Sequence, residues 1–121
     1  MDRRHDAATG ALLGTFLGDA LGAPWEGRQA APGRAAPDRV RRSLAHAPLA
    51  YTDDTQLALA LAAHLCEHPR VEPAALVATI LEHFEPWRGY GGGMLGLVDQ
   101  WRRGVPPEVA ATAIFPEGSF G

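Results

Sequence analysis

Apolar residues recur at helical spacing in five segments of the chain, and polar, proline-rich or glycine-rich stretches separate these segments. The pattern predicts helices at Asp6 to Leu21, Asp54 to His68, Pro73 to Phe84, Met94 to Arg103 and Val109 to Ile114. No segment alternates apolar and polar residues with the two-residue period of a half-buried strand. The sequence therefore predicts an all-α protein.

The interval from residue 22 to residue 48 is rich in Pro, Gly, Ala and Arg and has no sustained period. We therefore predict a long loop there, with a short turn of helix inside it. Loops of this length within a compact domain are usually functional or mobile. Arg39, Arg41 and Arg42 are most simply a solvated basic edge of this loop, where anionic groups could also meet them.

The first predicted helix carries a stripe of glycines, because Gly10, Gly14 and Gly18 are spaced four apart. Each interior glycine costs a helix about 1 kcal/mol relative to alanine, so the stripe needs a compensating reason. Close backbone approach is the usual reason. We expect another helix to pack there in preference to a ligand.

The second predicted helix is apolar on nearly all sides, which predicts a central, buried helix. Thr52, Asp53 and Asp54 stand at its start. Capping of backbone N–H groups by Thr52 or Asp53 explains one aspartate but not two. Adjacent carboxylates repel each other unless a cation lies beside them, and hard divalent cations bind such oxygens. On these residues alone, capping and metal binding are about equally good explanations.

Composition narrows the class of protein. The 121 residues are 46% hydrophobic and 21% charged with a formal net charge of −3, which is typical of one soluble globular domain without general nucleic-acid affinity. The single cysteine, Cys66, cannot form an intrachain disulfide, which favours a reducing compartment. The apolar window Ala7 to Leu17 is shorter than the ~20 residues of a membrane span, and Asp2, Asp6 and Asp19 argue against a signal peptide. We expect a cytoplasmic protein without membrane association.

Four motifs agree in order and spacing with one known family. They are LGTFLGDALGAPWEG at residues 13–27, then YTDDTQLALALA, RGYGGGM and GSFG. Over essentially its whole length the chain resembles the ADP-ribosylglycohydrolase family, whose members include enzymes that remove ADP-ribose from modified side chains. The resemblance implies an all-helical bundle with two divalent metal ions, Mg²⁺ or Mn²⁺. It also implies an ADP-ribosylated protein or small molecule as the substrate.

The resemblance assigns roles at the metal centre. Thr52, Asp53 and Asp54 match metal ligands, and Glu26 matches a carboxylate that faces the metals and the substrate. We therefore expect Glu26, Asp53 and Asp54 to be catalytic, with Glu26 acting as proton acceptor, proton donor or gate. Without the resemblance, Glu26 would be read as a solvated loop residue. Asp19 is either a structural hydrogen-bonding residue, which we favour, or a group that orients the metal ligands.

Further residues are expected to bind the substrate. Exposed N–H groups of small residues at a helix start suit a phosphate, and the resemblance makes Gly91, Gly92 and Gly93 candidates for contacting the diphosphate or distal ribose. The GSFG motif contributes Ser119, Phe120 and Gly121 as ligand contacts, and Phe115 is a candidate for stacking on the adenine or ribose. His64 and His68 have metal-ligand spacing, but we expect them to complement the helix dipole instead.

The family pattern continues beyond GSFG into an N-G-[AG]-A-M-R run and a distant D-x-D-T motif with further metal ligands. Neither run is present, so we interpret residues 1–121 as the N-terminal part of a single ADP-ribosylglycohydrolase-like domain, apparently truncated. The leading hypothesis is a metal-dependent hydrolase that cleaves the glycosidic bond of ADP-ribose to its acceptor. The alternative is a catalytically inactive fragment, or an ADP-ribose-binding or structural module of the same fold.

Overall fold

The computed structural model describes residues 2–28, 35–45 and 48–119. These residues form six α-helices and two short 3₁₀ turns, with no strand among them. The helices are α1 (Arg3–Gly22), α2 (Ala35–Ala45), α3 (Asp53–Glu67), α4 (Pro73–His83), α5 (Gly92–Arg102) and α6 (Pro107–Ile114), and the 3₁₀ turns are Ala23–Trp25 and Pro86–Arg88. The all-α prediction is confirmed. None of these described helices is long and apolar enough to cross a membrane.

The five predicted helices are all present, with ends that differ by a few residues. Local chemistry explains several of the starts. The Asp2 side chain accepts a hydrogen bond from the Arg4 backbone N–H at 3.1 Å and so caps α1. Helix α4 begins with Pro73, whose missing N–H is not needed in the first turn. Helix α5 begins two residues earlier than predicted, at Gly92.

Helix α2 corrects the prediction that residues 22–48 form a loop with only a short turn of helix. Its eleven residues include only two large apolar side chains, Val40 and Leu44, which are four residues apart and exposed. Among the α2 residues whose burial is described, Ser43 is buried, and its hydroxyl accepts a hydrogen bond from the Trp25 indole N–H at 2.8 Å. This hydrogen bond helps to hold α2 in place, and two apolar side chains among three arginines are too weak a periodic signal to predict the helix.

The chain divides into two compact units, Met1–Ala58 and Leu59–Gly121, and α3 contains the boundary. In the first unit, α1 packs against α2 and the turn Ala23–Trp25. Phe16 and Tyr51 add an edge-to-face contact with ring centroids 5.8 Å apart. In the second unit, α4, α5 and α6 pack on one another. Among the described residues, the buried apolar residues of that unit are Ala60, Tyr90, Val98 and Ala110.

Helix α3 is not buried on nearly all sides, so that prediction is wrong for the described chain. Leu59, Leu61 and Leu65 are each at least 38% exposed. The buried residues of α3 are instead polar or small, namely Thr55, Gln56, Ala60 and His64. Hydrogen bonding selects this face, because Thr55 and His64 both have partners outside α3.

His64 joins the end of α3 to the start of α4. Its side chain is 1% exposed, and its Nε2 atom accepts a hydrogen bond from the Glu72 backbone N–H at 3.1 Å. The ring also stacks on His68 with centroids 4.5 Å apart. Since Nε2 is engaged with the backbone, the structure gives His64 a structural role in this turn.

The glycine stripe of α1 is open. A Cβ atom added at Gly10, Gly14 or Gly18 would meet no described atom within 4 Å. The expected close approach of another helix is therefore not made by the described residues. The C-terminal end of the stripe has a different neighbour, a cavity that contains the candidate site.

Candidate functional site

Asp19, near the end of α1, is the centre of a hydrogen-bond network in the first unit. Its carboxylate accepts four hydrogen bonds from two threonines. Thr52 donates its backbone N–H at 2.8 Å and its hydroxyl at 2.6 Å. Thr55 donates its backbone N–H at 3.2 Å and its hydroxyl at 2.5 Å. Because Thr52 precedes α3 and Thr55 lies in its first turn, Asp19 caps α3 from another helix.

These contacts fix the charge of Asp19. Burial raises the pKa of its carboxyl group, but the hydrogen bonds from Thr52 and Thr55 lower it by more. The pKa therefore lies below its ordinary value of 3.8. Asp19 is an anion at neutral pH, and the four donors that hold it are already in place.

Capping by Asp19 changes the interpretation of the aspartate pair. Asp53 and Asp54 are the first two residues of α3, and their carboxylates make no hydrogen bond or ion pair with any described residue. The cap that sequence reasoning assigned to Thr52 or Asp53 is supplied by Asp19 instead. Neither carboxylate of the pair is therefore used in capping, so capping no longer accounts for even one of them.

A cavity of about 480 Å³ lies beside this network within the first unit. Its lining includes Asp19, Glu26, Thr52 and Asp54, so the structure brings together three of the predicted site residues. Asp53 is not among the described residues that line it. Glu26 follows the turn Ala23–Trp25, is exposed, and its backbone N–H bonds to the Ala23 carbonyl at 3.3 Å. The 3₁₀ turn thus holds the backbone of Glu26 at the cavity.

Two glycines of α1, Gly18 and Gly22, also line the cavity. A Cβ at either position would meet no described atom within 4 Å, so both positions face open space. The missing side chains at Gly18 and Gly22 therefore leave more space in the cavity. The sequence pattern identified the stripe, but we expected another helix beside it, whereas the structure places a cavity beside its C-terminal end.

The oxygen donors at the start of α3 match the chemistry of a hard divalent cation. Asp53 and Asp54 contribute carboxylates, and Thr52 contributes a hydroxyl whose proton is directed to Asp19 at 2.6 Å. A hydroxyl that donates its proton in this way keeps its lone pairs for a metal. Within residues 2–28, 35–45 and 48–119, no three His, Cys, Asp or Glu side chains come together as a metal site.

The predicted substrate-binding residues that the structure describes lie in the second unit. Gly91 precedes α5, and Gly92 and Gly93 are its first two residues. A Cβ at Gly91 or Gly92 would meet no described atom within 4 Å, whereas a Cβ at Gly93 would collide with the Phe115 ring. The structure thus brings Gly93 and Phe115 together. Ser119 is exposed, and Phe120 and Gly121 lie outside the described residues.

The collision at Gly93 gives a prediction with a matched control. Gly93→Ala should lower the free energy of unfolding by about 1–3 kcal/mol, because the methyl group forces the Phe115 ring to move. Gly92→Ala, one residue earlier on the same helix, should be neutral or slightly stabilising, because its methyl group enters open space. Urea denaturation followed by circular dichroism compares the two. Equal stability of both variants would show that Phe115 does not pack on Gly93.

Sequence reasoning left Asp19 outside the set of site residues, although it favoured a structural hydrogen bond for it. The structure gives Asp19 that structural role and also places it in the cavity wall. Thr55 was not singled out at all. The available signal was the second threonine of the T-D-D-T run, whose position in the first turn of α3 lets it share an acceptor with Thr52.

These features define an all-α protein with a cavity that is lined by the carboxylates of Asp19, Glu26 and Asp54. The family model for ADP-ribosylglycohydrolase matches residues 1–120 of the chain. The protein therefore belongs to the ADP-ribosylglycohydrolase family. No solved structure matches the chain.

Proposed function

We propose that this protein is a metal-dependent hydrolase that cleaves the glycosidic bond between ADP-ribose and a protein side chain or small acceptor. Membership of the family supports the class of reaction. One observation supports the assignment of the metal site to Asp53 and Asp54. Asp19 takes the capping role at α3, and this leaves the carboxylates of Asp53 and Asp54 without a partner among the described residues.

Thr52, Asp53 and Asp54 would hold the two divalent cations, Mg²⁺ or Mn²⁺, that the family resemblance implies. Their oxygens suit such ions, and the bond from Thr52 to Asp19 fixes the direction of the hydroxyl lone pairs. When bound, the cations would supply Lewis-acid catalysis and make water acidic enough to act as a nucleophile at neutral pH. Asp19 contributes by holding Thr52 and the start of α3 in one position.

Glu26 is the candidate for proton transfer. Hydrolysis of a glycosidic bond needs a carboxyl group that takes a proton from the attacking water or gives one to the leaving atom. Glu26 lines the same cavity as Asp54 and Thr52 and is exposed there, so a substrate in the cavity could reach its carboxylate. Its position supports either direction of proton transfer.

The remaining candidates would bind the ADP-ribosyl group. Backbone N–H groups of Gly91, Gly92 and Gly93 at the start of α5 suit the diphosphate, because the positive end of a helix dipole favours anions. Phe115 is the candidate for packing on the adenine or ribose, and Ser119, Phe120 and Gly121 are candidates for further contacts to the ligand.

The test is release of ADP-ribose from ADP-ribosylated arginine and from an ADP-ribosylated serine peptide, measured by chromatography with Mn²⁺, with Mg²⁺ and with EDTA. We expect release with either cation and none with EDTA. If no substrate releases ADP-ribose, the hydrolase proposal is wrong for this chain. Calorimetric titration with ADP-ribose then separates the alternatives, because binding without turnover identifies an ADP-ribose-binding module.

A further inference from the structure

A second cavity in the first unit lies beside the turn Ala23–Trp25 and α2. Its volume is about 310 Å³, and it is lined by Pro24, Trp25, Arg28, Arg42 and Ser43. Among the described residues, Trp25 alone also lines the cavity that contains Glu26 and Asp54. The second cavity has no role in the proposed hydrolysis, and its chemistry is different because arginines border it.

The wall between the two cavities is held by buried hydrogen bonds. The indole N–H of Trp25 donates to the Ser43 hydroxyl at 2.8 Å, and that hydroxyl donates to the Leu21 carbonyl at 2.9 Å. Ser43 is 1% exposed, so water does not compete for these bonds. Trp25 therefore has a fixed orientation and joins α1, the 3₁₀ turn and α2.

Trp25 in turn orders the arginines around it. The guanidinium of Arg28 lies over the indole at 5.6 Å from the ring centroid, and that of Arg39 lies over it at 5.2 Å. Stacking on an aromatic face restricts the conformations of an arginine side chain. Arg42, one turn away from Arg39 on α2, lines the cavity together with Arg28.

The surrounding charge is positive. Helix α2 carries three arginines and one aspartate, and that aspartate, Asp38, lies 3.9 Å from Arg41, which does not line the cavity. Glu26, the nearest carboxylate along the chain, lines the other cavity. Among the described residues that line it, the second cavity thus has two guanidinium groups and no carboxylate.

We propose that this cavity is a binding site for a phosphate monoester, with Arg28 and Arg42 holding the phosphate. Guanidinium groups match phosphate oxygens in geometry and charge. Pro24 and Trp25 provide an apolar surface for a compact organic group attached to the phosphate, and the volume is at the lower end of the range for small-molecule sites. The site does not depend on the hydrolase proposal, because none of the proposed metal ligands borders it.

The test follows the Trp25 indole N–H resonance by ¹⁵N NMR during titration with inorganic phosphate, AMP and O-phosphotyrosine. Variants Trp87→Phe and Trp101→Phe assign the resonance by elimination. We expect saturable shifts of the Trp25 resonance with all three probes. The probe that binds most tightly identifies the organic group as a nucleotide or a phosphorylated side chain.

The matched variants use arginines of the same surface. Arg28→Gln combined with Arg42→Gln should weaken binding by about tenfold or more, because charge-assisted hydrogen bonds to the phosphate are lost. Arg41→Gln removes one charge from α2 outside the cavity and should leave affinity within about twofold. The proposal is overturned if none of the probes gives a saturable shift, or if Arg41→Gln weakens binding as much as the double variant. Unchanged spectra of the free variants establish that their folds are intact.

Discussion

Asp19→Ala should lower the free energy of unfolding by about 2–4 kcal/mol. The substitution removes the acceptor of four hydrogen bonds at the start of α3. Thr55 is 2% exposed, so water does not readily replace the lost partner of its N–H and hydroxyl. Urea denaturation measured by circular dichroism gives the change, with Asp6→Ala, on an exposed part of α1, as the control for loss of one acidic residue from that helix.

The same network predicts how stability depends on pH. Because the folded state lowers the pKa of Asp19, its stabilising contribution is complete above the unfolded value of about 3.8 and is lost as the pH falls toward the folded pKa. The carboxamide of Asp19→Asn does not take up a proton in this range, so the stability of the variant should fall less than that of the wild type below pH 4. The difference between the two curves isolates Asp19 from the other carboxylates. Parallel curves across that range would contradict the lowered pKa.

The sequence predicted the class of fold and five of the six described helices because those helices carry apolar residues at helical spacing. Helix α2 was missed because it has few apolar residues and its contacts include a hydrogen bond between Trp25 and Ser43. The buried face of α3 was predicted wrongly for a related reason. Its leucines suggested burial, yet Thr55 and His64 are buried because each has a hydrogen-bonding partner in another part of the chain. Hydropathy patterns do not register partners of this kind.

The candidate site was predictable in part. The surplus of adjacent carboxylates at a helix start is visible in the sequence, and it pointed to Asp53 and Asp54. The sequence did not reveal that Asp19 caps α3, because Asp19 is 33 residues from Thr52 and only the tertiary fold brings them together. The contact between Gly93 and Phe115 depends on the packing of α5 with the end of α6, and the spacing of residues within either helix does not reveal it.

Asp54→Asn should lower the rate of ADP-ribose release by at least about 100-fold, while the protein stays folded. The carboxamide has the size of the carboxylate but lacks the negative charge with which Asp54 would bind a cation. No hydrogen bond to a described residue is lost, so the cost in stability is limited to the helix-dipole contribution, about 0.3–1 kcal/mol. Asp53→Asn should behave alike.

Metal ligation by Asp53 and Asp54 can be separated from capping by Asp19. The rate of turnover is measured against Mn²⁺ concentration for Asp54→Asn, Asp53→Asn and Asp19→Asn, and an unfolding curve is recorded for each variant. Substitution of a metal ligand should raise the Mn²⁺ concentration needed for half-maximal rate and leave the unfolding midpoint nearly unchanged. Asp19→Asn should lower the unfolding midpoint as well, because Asp19 holds the helix start whose residues would bind the cation. Wild-type turnover and Mn²⁺ dependence in Asp54→Asn would remove Asp54 from the metal centre and leave its unpaired carboxylate at the cavity without a catalytic explanation.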